Sequence, residues 1–188
     1  MSSLADRIKI ARKAAGPDIN LSIQFLLNCG GDLAGSCNGG SSIRAYEFIH
    51  QTGFVPYDTC APYVACSNNS TNGYCAHVDT TCSPMNICRT CSNPNHDGGG
   101  TCEAIKVFPN ATISEYGNYG ADEVFAIMAE IYLRGPVKAS VNAGPLVAYT
   151  GGILFDNEIN RNTTHNHGVS LVGWGYDEKT DVQYWIVR

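Results

Sequence analysis

The sequence predicts an α+β protein whose helices gather in the first half and whose strands gather in the second. Three observations carry this. Apolar residues recur at helical spacing up to Gly53. Short β-prone apolar runs follow one another after Pro136. Between them, residues 56–100 show little periodicity and are dense in cysteine, so the two kinds of element are segregated rather than alternating.

Ser2 or Ser3 is placed to cap a first helix, in which Leu4, Ile8, Ile10 and Ala11 recur at roughly helical spacing before Gly16-Pro17. Asn20 or Ser22 starts a second at 23–28, rich in Phe25, Leu26 and Leu27, which leads into Cys29 and a glycine-rich loop. Ser41 or Ser42 caps a third, with Ile43, Tyr46 and Ile49 on one face and Gly53 as its stop. A loop as long as 56–100 is unusual in a compact domain unless it is stapled, and seven cysteines between Cys60 and Cys102 supply staples. The texture changes at Phe108-Pro109, so the domain boundary is expected there: 1–108 helical and disulfide-rich, 109–188 β-rich. Asp122 caps a fourth helix through Val124, Ile127, Met128 and Ile131, a core face closed by Gly135-Pro136. Strands are expected at Val137–Val141, 153–155, 169–174 and Val182–Val187. There is no internal repeat.

Composition bounds the function. The net charge of −5 leaves no basic face to neutralise phosphates, which argues against nucleic acid as a partner. No apolar run approaches the ~18 residues that span a bilayer, so no membrane partner is expected. A monomer is expected. Charged residues make up only 15% of the chain, and its polarity comes from Ser, Thr, Asn and 20 glycines, the makeup of loops and turns. Nine cysteines point to disulfides in an oxidising compartment. Sequons at Asn20, Asn68, Asn69, Asn110 and Asn162 point the same way, though such triplets are short. Residues 1–16 form a basic amphipathic segment without the apolar core of a signal peptide. A missing upstream segment is the simplest expectation that reconciles these facts.

The stretch with chemistry is His165-Asn166-His167-Gly168-Val169-Ser170-Leu171-Val172-Gly173-Trp174-Gly175. His167 stands at the mouth of a β-prone run that has no need of an imidazole, and histidine is the side chain best suited to move a proton near neutral pH. Taken alone, a histidine beside a strand is more often structural, and His165 reads as a loop residue. The Cys82, Cys88, Cys91 and Cys102 cluster, with His77 and His96 nearby, has one Cys-x-x-Cys arm suited to zinc but irregular spacing in the other. Disulfides fit the sequons better.

In order along the chain, the residues resemble the papain-like cysteine peptidases, and within them the cathepsin X (cathepsin Z) branch. The resemblance rests on Ala5-Asp6-Arg7-Ile8 with Ile10, Cys29, Ser36-Cys37-Asn38-Gly39-Gly40, Asp58-Thr59-Cys60 and Cys88-x-x-Cys91 through Cys102-Glu103-Ala104-Ile105. It continues through Met128-Ala129-Glu130-Ile131-Tyr132, Gly135-Pro136, Tyr149-Thr150-Gly151-Gly152-Ile153, Asn166-His167, Gly173-Trp174-Gly175 and Tyr184-Trp185-Ile186-Val187-Arg188. The implied fold is the papain-like two-lobed one, with a helical left lobe and a barrel-like β right lobe, truncated at both termini. A sheet without its completing segments would have open edges and uncovered apolar faces, so the isolated 188 residues are expected to be marginally stable.

The implied activity is peptide-bond hydrolysis without a cofactor, on peptide or protein substrates, in a lysosomal, vacuolar or extracellular setting. In the family a cysteine thiolate attacks the carbonyl, a histidine keeps it ionised and protonates the leaving amine, and an asparagine orients the imidazole. His167 matches the histidine. The family's cysteine, in Cys-Gly-Ser-Cys-Trp, would fall a few residues before Met1, and its asparagine, in Asn-Ser-Trp-Gly, directly after Arg188. One triad member is thus present, and the 188 residues alone are expected to be inactive. Asn38, Gly39, Gly40 and Asn166 match substrate-binding positions, where an extended peptide pairs with backbone in the manner of an added strand. The family's disulfides imply Cys29 with Cys82, Cys60 with Cys88 and Cys91 with Cys102, which leaves Cys66 for Cys75 and Cys37 single. The branch implies a carboxypeptidase. An endopeptidase relative, a catalytically dead homologue acting as a binding protein, and an unrelated disulfide-stapled secreted module remain alternatives.

Overall fold

A computed structural model of the chain describes residues 1–92, 100–155 and 165–188. In order, the elements are α1 (Ser2–Ala11), α2 (Ile23–Cys29), α3 (Gly31–Ala34), β1 (Gly35–Ser36), β2 (Gly39–Gly40), α4 (Ser42–Thr52), β3 (Val55–Pro56), α5 (Pro84–Ile87), β4 (Arg89–Cys91), β5 (Cys102–Ala104), β6 (Asn110–Ala111), α6 (Val124–Arg134), β7 (Val137–Val141), β8 (His167–Asp177) and β9 (Val182–Val187). Helices dominate the first part and the long strands lie in the second, as the apolar periodicities predict.

The chain forms two compact units, one of Pro17–Asn118 and one of Ser2–Gly16 with Tyr119–Arg188. The first is organised around Phe25, fully buried on α2, whose ring lies 5.6 Å from Phe48 and 5.4 Å from Phe54. The Ser22 side chain caps α2 by accepting from the Phe25 amide, and Gly53 ends α4 in the left-handed conformation that glycine adopts without strain. Phe108 packs on Phe54 at 5.6 Å, and β6 then pairs with β3, Val55 opposite Ala111. These two contacts carry the first unit past the expected boundary at 108/109, to Asn118.

Four disulfides staple this unit: Cys29–Cys82, Cys60–Cys88, Cys66–Cys75 and Cys91–Cys102. Three are the pairs the family pattern implies, Cys66–Cys75 is the pair left over, and Cys37 is the free, exposed thiol. Each sulfur of the zinc alternative (Cys82, Cys88, Cys91, Cys102) is therefore committed to a covalent bond. His96 lies outside the described residues. Buried Gln24 ties α2 to the segment around Cys66 and accounts for both ends of its amide. Its nitrogen donates to the Cys66 carbonyl and to Asn28 Oδ1, each at 2.8 Å, and its oxygen accepts from the Val64 amide at 3.1 Å.

The second unit is a three-stranded antiparallel sheet in the order β7-β8-β9, with α6 against β8. α6 begins at Val124 behind Glu123, whose carboxylate accepts from the Gly120 amide, rather than behind Asp122. The expected strand at 153–155 is not one. Gly151 and Gly152 precede it with φ of 143° and 85°, and the run has no ladder partner among the described residues.

α1 is fastened to this sheet at three levels. Ser3 Oγ and Ser170 Oγ, both buried, share a hydrogen bond of 2.8 Å. Arg188 Nη2 donates to Asp6 Oδ2 at 2.6 Å. Arg7 donates to the carbonyls of Pro136 (2.8 Å) and Gly135 (3.1 Å), and to Glu130 Oε1 (2.8 Å). Glu130 also accepts from Tyr119 and Arg134. Burial opposes ionisation of Glu130, but the hydrogen bonds from Arg7 and Tyr119 and the charges of Arg7 and Arg134 outweigh it, so the carboxyl titrates below the ordinary glutamate value.

A carboxyl depressed in the folded state stabilises fully above its unfolded value, and that contribution is lost as pH falls through the folded one. Glu130→Gln is thus expected to cost about 2 kcal/mol at neutral pH, the scale of hydrogen bonds to a charged group. The gap between variant and parent should narrow steadily below about pH 4.5. Urea unfolding across that range checks it, and a gap independent of pH would refute the assignment.

Candidate active site

His167 is the first residue of β8 and is exposed. It is opposite Val141, the last residue of β7. Its backbone is held by the ladder, while its side chain is exposed. The residue before it is tied down. The Asn166 amide donates to the Val141 carbonyl at 3.1 Å, and Asn166 Oδ1 accepts from the Ala143 amide at 2.9 Å. Asn166 thus holds the 142–144 turn, where Asn142 Oδ1 in turn accepts from the Gly144 amide at 3.0 Å. Its carbonyl oxygen is committed to the protein, and its amide nitrogen is the part left for a ligand.

The anchor points of α1 give it a direction. Ser3 meets β8 at Ser170, and Arg7, one turn later, meets Gly135 and Pro136, just ahead of β7. In register, Ser170 is opposite Lys138 and Val137 is opposite Leu171, so the helix runs away from the His167 end of the sheet as it proceeds. Its amino-terminal end points back toward His167. Sequence patterns alone give no sign of this, because Ser3 and Ser170 are far apart in the chain and nothing local marks either.

Asn38, Gly39 and Gly40 belong to the first unit, in the hairpin where Gly35 is opposite Gly40 and Ser36 opposite Gly39. The Asn38 amide donates to Ser36 Oγ at 3.2 Å, and the Cys37 amide to Ser67 Oγ at 3.4 Å. The glycines serve different needs. A Cβ on Gly40 would lie 2.2 Å from the Ala34 carbonyl oxygen, so the chain's own backbone demands glycine there. Gly39 has open space around it but a φ of 127°, a conformation only glycine adopts freely. Gly40→Ala is expected to destabilise the first unit by about 2 kcal/mol through overpacking. A thermal melt matching the parent's would contradict it.

The sequence pattern of the papain family cysteine proteases matches residues 1–188. Cathepsin Z of Onchocerca volvulus is 38% identical over 189 residues, covering 100% of this chain and 53% of that protein. Cathepsin B-like cysteine proteinase 3 of Caenorhabditis elegans is 26% identical, with 98% and 47% covered. The chain thus spans about half the length of these curated relatives. Among solved structures, digestive procathepsin L2 proteinase from the larval midgut of Tenebrio molitor superposes with a TM-score of 0.66 at 23% identity, covering 97% of this chain and 46% of that one. That likeness establishes a papain-like fold. By the match along its whole length, the chain belongs to the papain family of cysteine proteases.

Proposed function

We propose that this chain is the histidine-bearing part of a cysteine peptidase of the cathepsin X kind, one that removes single residues from the carboxyl termini of peptides. The observation that carries the reading is the direction of α1. In the family the nucleophilic cysteine lies on the chain just ahead of this helix, and here the helix's amino-terminal end points to the His167 end of β8. A thiol carried there would come within reach of the imidazole. His167 would hold it as thiolate and pass the proton to the leaving amine. Asn166, through its bond to Ala143, would keep the histidine's backbone in place.

Within these residues, Cys37 is the free thiol and it sits in the other unit, while the orienting asparagine of the family has no counterpart. The 188 residues by themselves are therefore inactive in this reading. Likeness to cathepsin Z favours the exopeptidase, and four disulfides favour the lysosome, vacuole or extracellular space over a reducing compartment.

The test is the transcript. Its frame should encode Cys-Gly-Ser-Cys-Trp ahead of these residues and Asn-Ser-Trp-Gly after them. The encoded protein should trim peptides from the carboxyl end and be blocked by iodoacetamide. Substituted residues at both places would instead establish a binding protein without catalysis.

A further inference from the structure

We propose that Asn69 is an N-glycosylation site that takes an oligosaccharide from a lipid-diphosphate donor; this rests on the secretory setting in the reading above. Five Asn-x-Ser/Thr triplets occur in the sequence, and the motif alone does not rank them. The fold does. A glycan is bulky and hydrophilic, so its asparagine must face water in the finished structure with its amide nitrogen to spare. The transferase also reads the hydroxyl two residues on. A hydroxyl that the fold takes up is withdrawn from it as the segment forms.

Three of the described triplets fail one of these conditions. In Asn20-Leu21-Ser22 the serine is 1% exposed and caps α2, and Leu21 is buried in a bridge with Tyr57. In Asn68-Asn69-Ser70 the serine hydroxyl accepts from the Ser67 amide at 3.1 Å and shares a hydrogen bond with Ser67 Oγ at 3.3 Å. In Asn110-Ala111-Thr112 the asparagine's amide nitrogen donates to the Phe108 carbonyl at 3.0 Å. Asn162 lies outside the described residues.

Asn69-Ser70-Thr71 meets them all. Asn69 and Thr71 are exposed, and neither side chain bonds another described residue. The Ser70 amide donates to the Ser67 carbonyl at 2.8 Å, which makes 67–70 a β-turn with Asn68 and Asn69 at its two central positions. The base of that turn is fixed. Cys66 is buried and bridged to Cys75, its carbonyl accepts from Gln24 at 2.8 Å, and Ser67 is buried beside it. The tip thus stands out from a rigid base, and a sugar on Asn69 displaces no packed side chain.

The transfer is a substitution at the anomeric carbon of the first sugar. A bond forms from Asn69 Nδ2 to that carbon as its bond to the diphosphate oxygen breaks. The lipid diphosphate leaves with the electron pair, and the amide nitrogen gives up one proton to solvent.

The site is read on the 188-residue chain carried into the endoplasmic reticulum of eukaryotic cells behind a heterologous signal sequence. Peptide-N-glycosidase in heavy-oxygen water converts each sugar-bearing asparagine to a labelled aspartate, which peptide mass spectrometry locates whether or not the chain is exported. The expected result is label at Asn69 in the majority of chains. Asn69→Gln and Thr71→Ala should each abolish label at that position, whereas Thr71→Ser and Ser70→Ala should keep it. An unlabelled Asn69 overturns the proposal, and so does label on Asn68 in its place that Ser70→Ala removes. Both outcomes leave the peptidase reading standing. An encoded protein found in the cytosol with free thiols and no sugar would instead sink the secretory setting, and this modification with it.

Discussion

In a longer chain carrying the proposed nucleophile, His167→Ala is expected to lower kcat for peptide hydrolysis about 10⁴-fold or more, while the unfolding midpoint stays where it was. The two halves of that result come from different facts. On the proposed mechanism the rate falls because the imidazole would both ionise the thiol and supply the proton to the leaving amine. The stability is unchanged because His167 is exposed and contributes only its backbone to the ladder with Val141, which alanine retains. An exposed substitution of this kind moves stability by about 0.5 kcal/mol or less.

Asn166→Ala gives the contrast. It deletes the acceptor of the Ala143 amide, so it should cost about 1 kcal/mol of stability and reduce the rate far less than His167→Ala. A merely structural histidine would invert the pattern, and that inversion is what rate and melting measurements on the two variants would detect.

What was legible beforehand is what is written locally or by spacing. Ser22 before an apolar helix, Gly53 after one, and a β-prone run starting at a histidine each carry their signal within a few residues. Three disulfide pairs follow from the family's pattern and Cys66–Cys75 from what that pattern leaves over, since cysteine count alone leaves many pairings open. What was not legible depends on long-range contacts. α1 joins the second unit through Arg7 with Glu130, Asp6 with Arg188 and Ser3 with Ser170, and no local feature of residues 2–11 predicts partners so distant. Asp122 reads as the cap of α6, but the helix starts at Val124 behind Glu123, which makes no side-chain bond to the helix and whose carboxylate accepts from the Gly120 amide instead. The run at 153–155 has strand composition yet no partner, and composition does not create one.

Of the two staples Cys60–Cys88 and Cys91–Cys102, the first is expected to be worth more. Replacing both residues with alanine should destabilise the first unit by about 3–4 kcal/mol, against about 2 kcal/mol for the same replacement at Cys91 and Cys102. Loop length alone does not produce that gap. The bridged residues are separated by 28 positions in one case and 11 in the other, and chain entropy grows so slowly with length that the difference is under about 1 kcal/mol.

Burial supplies the rest. Cys60 and Cys88 are 3% and 2% exposed, so losing their sulfurs leaves a void among packed neighbours, whereas Cys91 and Cys102 are exposed and lose no packing. The second pair also faces each other across the β4–β5 ladder, which holds that hairpin closed without the bond. Urea unfolding of the two double variants decides the matter. Equal losses would mean that loop closure is the whole effect, and a larger loss at Cys91 and Cys102 would mean that the exposed hairpin depends on its bridge in a way its backbone pairing does not explain.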